Sequence, residues 1–182
     1  MSGSEWITGR AGMLYRDLTP ADLKSKVIVS QIRLPFDGEV PDYVHYHEIE
    51  FQAIYCLKGR IKVVYEDQGP PFWLEPGDVV LQPPKIRHQV LECVTDSEVI
   101  EITMPAEHTT LAEHELTLPS ADVDMDRRFG GRRFFRHVSG NDDARDEFER
   151  GLVTLANELR HAASDDERTT IVITFSRTLC RK

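Results

Sequence analysis

His45 and His47 flank Tyr46, and four residues separate His47 from Gln52. On an extended strand successive side chains point to opposite faces, so both imidazoles of a His-x-His triplet project to the same side. A third imidazole, His88, ends the run that begins at Gly77 and turns through Pro83 and Pro84. Three imidazoles and one amide oxygen, brought together, make a site for one divalent transition metal. Neutral imidazoles suit iron, nickel, copper and zinc, and an oxygen donor extends the range to manganese. At most four protein ligands leave one or two positions open on a five- or six-coordinate ion, which suits catalysis better than a closed structural centre.

Gln52 is the unusual member. A neutral amide leaves the ion's charge uncompensated by protein, which favours an anionic ligand such as a carboxylate or an acidic enol and disfavours oxidation to the trivalent state. The alternative is that Gln52 only orients a ligated water, leaving a three-histidine site. Glu50 stands two residues before Gln52 and faces the same side of an unbroken strand, as a further ligand or a general base. Glu92, four residues after His88, reads either as an acceptor for a histidine N–H or as a solvent-facing carboxylate.

The elements that must carry these residues are short strands. Strand-forming runs cover Lys26–Leu34, Val44–Glu48, Phe51–Leu57, Ile61–Glu66, Pro71–Leu74, Val79–Gln82, His88–Val94 and Glu98–Met104. Between them lie Asp37-Gly38, Lys58-Gly59, Gln68-Gly69-Pro70-Pro71 and Pro76-Gly77-Asp78, residues that supply the positive or fixed φ values of tight turns. Many short strands punctuated at close intervals predict an antiparallel sandwich or barrel.

The two histidine-bearing segments resemble the paired signature of the cupins. The first block there is a glycine, His-x-His, a carboxylate four or five positions on, and a glycine six residues later. The second runs from a glycine through a proline, a turn glycine and a histidine to an asparagine. This chain matches at His45, His47, Gly59, Gly77, Pro83 and His88. It departs in having Gln52 for the glutamate ligand, Lys85 for the turn glycine, Glu92 for the asparagine, and six residues between Gly38 and His45. The resemblance covers about residues 27–105. It implies an all-β jelly-roll barrel (a double-stranded β-helix), a mononuclear metal at His45, His47, Gln52 and His88, with iron first and zinc, manganese or nickel as alternatives, and a homodimer that covers the sheet edges.

On this reading residues 1–26 form an N-terminal arm with a short helix after Thr19, residues 27–105 the barrel, and residues 106–182 a C-terminal extension. In that extension Asn141 caps a helix over about 142–163, whose Phe148, Leu152, Leu155, Leu159 and Ala162 make one apolar stripe, placed on the barrel or at a dimer interface. Thr169–Phe175 alternates as an edge strand.

A 182-residue chain with 40% hydrophobic and 29% charged residues has the make-up of a soluble globular protein. The net charge of −9 disfavours nucleic acid and anionic membranes as partners. Arg127, Arg128, Arg132 and Arg133 sit among Asp122, Asp124 and Asp126 and read as a solvated mixed-charge linker. With neither a signal-like stretch at the N-terminus nor a membrane span, a cytoplasmic protein is expected. Cys56, Cys93 and Cys180 are widely spaced and suit buried apolar positions better than a disulfide framework. His108, His114, His137 and His161 lack a ligand pattern and are expected at the surface.

Three function classes remain. The first is a dioxygenase-type metal enzyme acting on a small enolisable or aromatic acid, to which the resemblance lends most weight. The second is a non-redox metal-dependent isomerase, decarboxylase or lyase with a nearby base such as Glu50 or a tyrosine. The third is a non-catalytic module that binds metal and a small ligand. All three take a small, anionic molecule as partner.

Overall fold

The computed structural model describes residues 5–19 and 26–139. Thirteen strands occur in it: β1 (Ile7–Thr8), β2 (Leu14–Asp17), β3 (Ile28–Leu34), β4 (Gly38–Glu39), β5 (His45–His47), β6 (Phe51–Lys58), β7 (Ile61–Tyr65), β8 (Phe72–Leu74), β9 (Val79–Gln82), β10 (His88–Cys93), β11 (Ser97–Met104), β12 (Thr110–Ala112) and β13 (Phe135–His137). A seven-stranded sheet has the order β1-β2-β3-β11-β6-β9-β13, and a second has the order β12-β5-β10-β7-β8 with β4 also on β10. All pairings are antiparallel. The eight strands expected from sequence are all present, with ends shifted by no more than two residues. The helix after Thr19, the helix over about 142–163 and the strand at Thr169–Phe175 lie outside the described residues.

One apolar cluster joins the two sheets. Ile32, Leu34, Cys56, Val80 and Val99 from the first pack with Ile61, Val63, Tyr65, Leu74 and Cys93 from the second. Alternation along the strands decides which residues take part: Val80 faces this core while Val79 and Leu81 join Phe51 and Met104 in a separate cluster. The five strands absent from the sequence reading are two to four residues long, and most are polar; pairing with longer neighbours defines them, not their own periodicity.

The mixed-charge segment is less loosely solvated than expected. Arg127 donates to Glu66 at 2.9 Å and to Asp67, Arg133 pairs with Asp126 at 2.8 Å, and Phe129 is buried in the main core.

The turns at the signature positions adopt left-handed backbone. Gly59, between β6 and β7, has φ of +68°, and Gly77 has φ of +95°. Lys85, where the cupin pattern has glycine, also has φ of +62°; the turn is kept without the residue that makes it easy. Gly59 is further constrained because a Cβ there would lie 2.4 Å from Ser97 Oγ and 2.9 Å from Ser97 Cα. Replacing Gly59 by Ala is expected to destabilise the protein by about 2–3 kcal/mol through left-handed strain and the Ser97 clash. Thermal unfolding should fall by roughly 4–10 °C, and an unchanged midpoint would contradict this account of the turn.

Candidate metal centre

β5 and β10 pair so that His45 and His88 stand directly opposite each other, and His47 follows on the same face of β5. The ring centroids are 4.2 Å apart for His45–His88 and 5.1 Å for each of the other two pairs. One nitrogen from each ring lies within 4.8 Å of the others, and all three residues are buried.

The Nδ1 atoms explain the orientation of the rings. His45 Nδ1 is 2.8 Å from the Tyr43 carbonyl and His88 Nδ1 is 3.1 Å from the Ile86 carbonyl. A carbonyl only accepts, so a proton on Nδ1 is donated to it in both rings; His45 Nδ1 also faces Arg10 Nη1, a donor, at 3.0 Å. His47 Nδ1 is 2.8 Å from Thr110 Oγ1 on β12, which can accept in the same way. With the proton on Nδ1, each Nε2 keeps its lone pair for a ligand. An imidazole whose outer N–H is held by an oxygen while the inner nitrogen is bare is the state in which histidine ligates a metal.

Burial and mutual repulsion keep the rings neutral. Desolvation, then Arg10, lowers His45 to about 4. Desolvation, followed by His45 and His108, lowers His47 to about 3. The same burial together with His45 and His47 pushes His88 well below its ordinary value. At neutral pH no proton need be displaced before a cation binds.

Gln52, on β6, is 1% exposed, and neither its Oε1 nor its Nε2 makes a hydrogen bond of good geometry among the described residues. It stands opposite both Gln82 of β9 and Thr103 of β11. Gln82 Nε2 lies 3.2 Å from the His88 ring nitrogens, while Gln82 Oε1, Thr103 Oγ1 and His45 Nε2 are also buried without partners. Buried polar atoms are normally satisfied, so a cluster of unsatisfied ones beside three imidazoles, His45 Nε2 among them, is what a site built for a polar ligand or ion leaves behind. The donors present therefore fit a divalent ion: His45, His47 and His88 can hold it, with Gln52 on the facing sheet.

A cavity of about 40 Å³ adjoins the imidazoles, bordered among others by Arg10, Tyr15, Tyr65, His47, His88 and Glu101. Burial raises the carboxyl of Glu101 above the ordinary carboxylate range, and the charge of Arg10 partly offsets this. Sequence reasoning missed Glu101, Gln82, Arg10 and Tyr15. In β11, Val99 belongs to the main core and Thr103 is buried opposite Gln52, so Glu101 between them faces inward too. The apolar Ile100, Ile102 and Met104 face the other way, which reverses the usual reading of an alternating strand.

Glu50 does not share a face with Gln52. A bend separates β5 from β6, leaving Glu50 exposed, with its backbone N–H donating to the Met104 carbonyl. Glu92 is also turned away: the register of β10 against β7 shifts between Val90 and Glu92, and Glu92 pairs with Lys62. Of the histidines expected at the surface, His114 is exposed, but His137 is buried and His108 stacks edge-on against His47 at 5.5 Å; His161 lies outside the described residues. Cys56 and Cys93 are buried as expected, and burial pushes their thiols up to about 12 and about 11.

A family model described as the cupin domain matches residues 33–104. No curated protein matches. Among solved structures, a variant of oxalate decarboxylase from B. subtilis aligns at 15% identity over 60% of this chain and 30% of that one, with a TM-score of 0.49. KdgF from Halomonas sp. aligns at 22% identity over 57% of this chain and 87% of that one, with a TM-score of 0.47. The chain thus spans less than a third of the decarboxylase. The segment that matches the cupin domain model holds all three imidazoles, Gln52 and Glu101.

Proposed function

We propose that this protein is a metal-dependent enzyme acting on a small carboxylic acid that can enolise. The observation that carries this reading is the set of three buried imidazoles, their Nδ1 atoms tied to oxygens, beside a small, mainly apolar cavity that Arg10, Tyr15 and Glu101 also reach. When bound, a divalent ion would supply Lewis-acid charge to a substrate oxygen. His45, His47 and His88 hold it, and Gln52 is the fourth ligand or the orienter of a water.

The residues around the cavity favour proton transfer. Glu101 is a partly buried carboxylate whose affinity for protons is raised by desolvation, a property that suits a general base or acid. It takes the role that Glu50, on the exposed bend, is not placed to fill. The cavity excludes bulk water from that exchange and favours acids of few heavy atoms over aromatic ones. Isomerisation, decarboxylation and β-elimination all begin or end with such a proton. Dioxygenase-type chemistry is the second reading, since three imidazoles and at most one amide leave room on an ion for both oxygen and substrate; oxygen uptake with substrate separates the two. A homodimer with a cytoplasmic location remains part of the proposal.

Protein purified without chelators should carry close to one equivalent of a divalent metal by elemental analysis, and His88→Ala should lose most of it. A metal-free protein that takes up none on reconstitution would sink this reading. Glu101→Gln should keep its metal yet lose about 10²–10⁴-fold in kcat; retention of full activity would remove Glu101 from the reaction. Gln52→Glu should bind the metal more tightly and an anionic ligand more weakly, because the added carboxylate supplies the charge a substrate otherwise brings. Titration calorimetry with metal and with malonate reads both changes.

A further inference from the structure

Residues 5–17 lie outside the matched cupin segment, yet they reach its cavity. β2 pairs with β3 at the edge of the seven-stranded sheet, and β1 folds back on β2. Between β1 and β2 the chain makes a tight 3-10 turn at Arg10–Gly12 in which Ala11 and Gly12 both take left-handed backbone, with φ of +53° and +75°. A Cβ on Gly9 would lie 2.6 Å from the Tyr15 ring, so the chain passes close against that ring. A non-glycine residue held at positive φ is costly and marks a turn that the surroundings enforce. This turn carries Arg10 to the cavity wall beside Tyr15, His47, His88 and Glu101.

Asp42 fixes the guanidinium from behind. Its side chain is fully buried; one carboxylate oxygen takes an Nη1 hydrogen of Arg10, and the other accepts from the Val90 backbone N–H at 3.0 Å. Arg10 Nη1 also lies 3.0 Å from His45 Nδ1, so the positive charge sits directly behind one of the metal-binding rings. Asp42 offsets the charge of one guanidinium and no more. A divalent ion held by neutral imidazoles and an amide adds two positive charges, against which the cavity offers only Glu101. Inside a water-poor space that excess is paid for by an incoming anion.

We propose that Arg10, delivered by the N-terminal arm, is the anion anchor of this site and determines its specificity for small carboxylates. The inference rests on the proposed metal-dependent reading and deepens it by assigning the group that recognises the acid. The guanidinium offers a planar set of five donors, of which Asp42 and the Tyr15 hydroxyl engage only part, and a planar carboxylate matches the remainder in the fork geometry that arginine prefers. With the carboxylate held there, the rest of a short acid lies between the imidazoles and Glu101. A cavity of about 40 Å³ admits an acid of only a few heavy atoms.

The test measures malonate binding by calorimetry, with malonamide as the neutral control, on both metal-loaded and metal-free full-length protein. Wild type should bind malonate and not malonamide. Arg10→Met combined with Asp42→Asn removes the ion pair without stranding a buried carboxylate; this double variant should keep the wild-type metal content and unfolding temperature while binding malonate about 10–100-fold more weakly. Asp42→Asn alone keeps the guanidinium but loosens its hold, and should weaken malonate binding less than the double variant does. Wild-type affinity in the double variant, or equal binding of malonamide by the wild type, overturns the proposal. Loss of metal in the double variant also overturns it, since Arg10 would then act by shaping the imidazole cluster. If wild type takes up no metal, the proposed function fails, while Arg10-dependent binding of malonate to the metal-free protein still supports the anchor and its absence there overturns it.

Discussion

The structure depends on placing three imidazoles in a dry interior with one nitrogen of each held and the other bare. Burial alone would make these rings costly, since each has two polar nitrogens to satisfy. The outer nitrogens are satisfied by the Tyr43 and Ile86 carbonyls and by Thr110, all supplied by chain segments beside β5 and β10. The inner nitrogens are left for a ligand. His45 opposite His88 requires the β5–β10 register, and Thr110 opposite His47 requires β12 at the sheet edge. A slip of one residue in either pairing would turn the histidines to the wrong face.

The facing sheet answers with polar groups where a sandwich would ordinarily bury hydrocarbon. Gln52, Gln82, Thr103 and Glu101 occupy inward positions on three neighbouring strands. Apolar side chains there would stabilise the fold at roughly 25 cal/mol per Å² buried, so this polar floor gives up stability. On these strands and on β3, Ile32, Leu34, Cys56, Val80 and Val99 restore an apolar interior that packs on the second sheet. Ile32, Leu34 and Val99 also line the cavity that His47, His88 and Glu101 reach, so the apolar core forms most of the wall of the chemical site.

Much of this was legible in the sequence, and the failures share a physical cause. The eight long strands, the glycine turns and the three histidines follow from alternation and turn chemistry, which are local properties. Glu50 was placed beside Gln52 because alternation was carried through a bend before Phe51, and of the two readings of Glu92 the outward one holds because the register shifts after Val90; each such irregularity reverses the face assignments beyond it. Glu101 was missed because the inner face of β11 is the more polar one. Arg10 was invisible because its relation to His45 spans 35 residues and depends on two left-handed residues in a turn that no periodicity marks. Lys85 shows the reverse: the family's turn survives although its glycine does not.

The charge balance poses an apparent contradiction that distance resolves. A chain of net charge −9 repels the small anions that its cavity suits. At physiological ionic strength the Debye length is about 8 Å, so most surface carboxylates are screened from a molecule inside the cavity. The groups that are not screened are those lining it: Arg10, with Asp42 behind it, Glu101, and whatever ion the imidazoles hold. Recognition is thereby local, and the exterior governs encounter rate and solubility. Long-range attraction being absent, an anion is selected by contact alone, and the contact is set by how rigidly the arm's turn and Asp42 hold one guanidinium at the cavity wall.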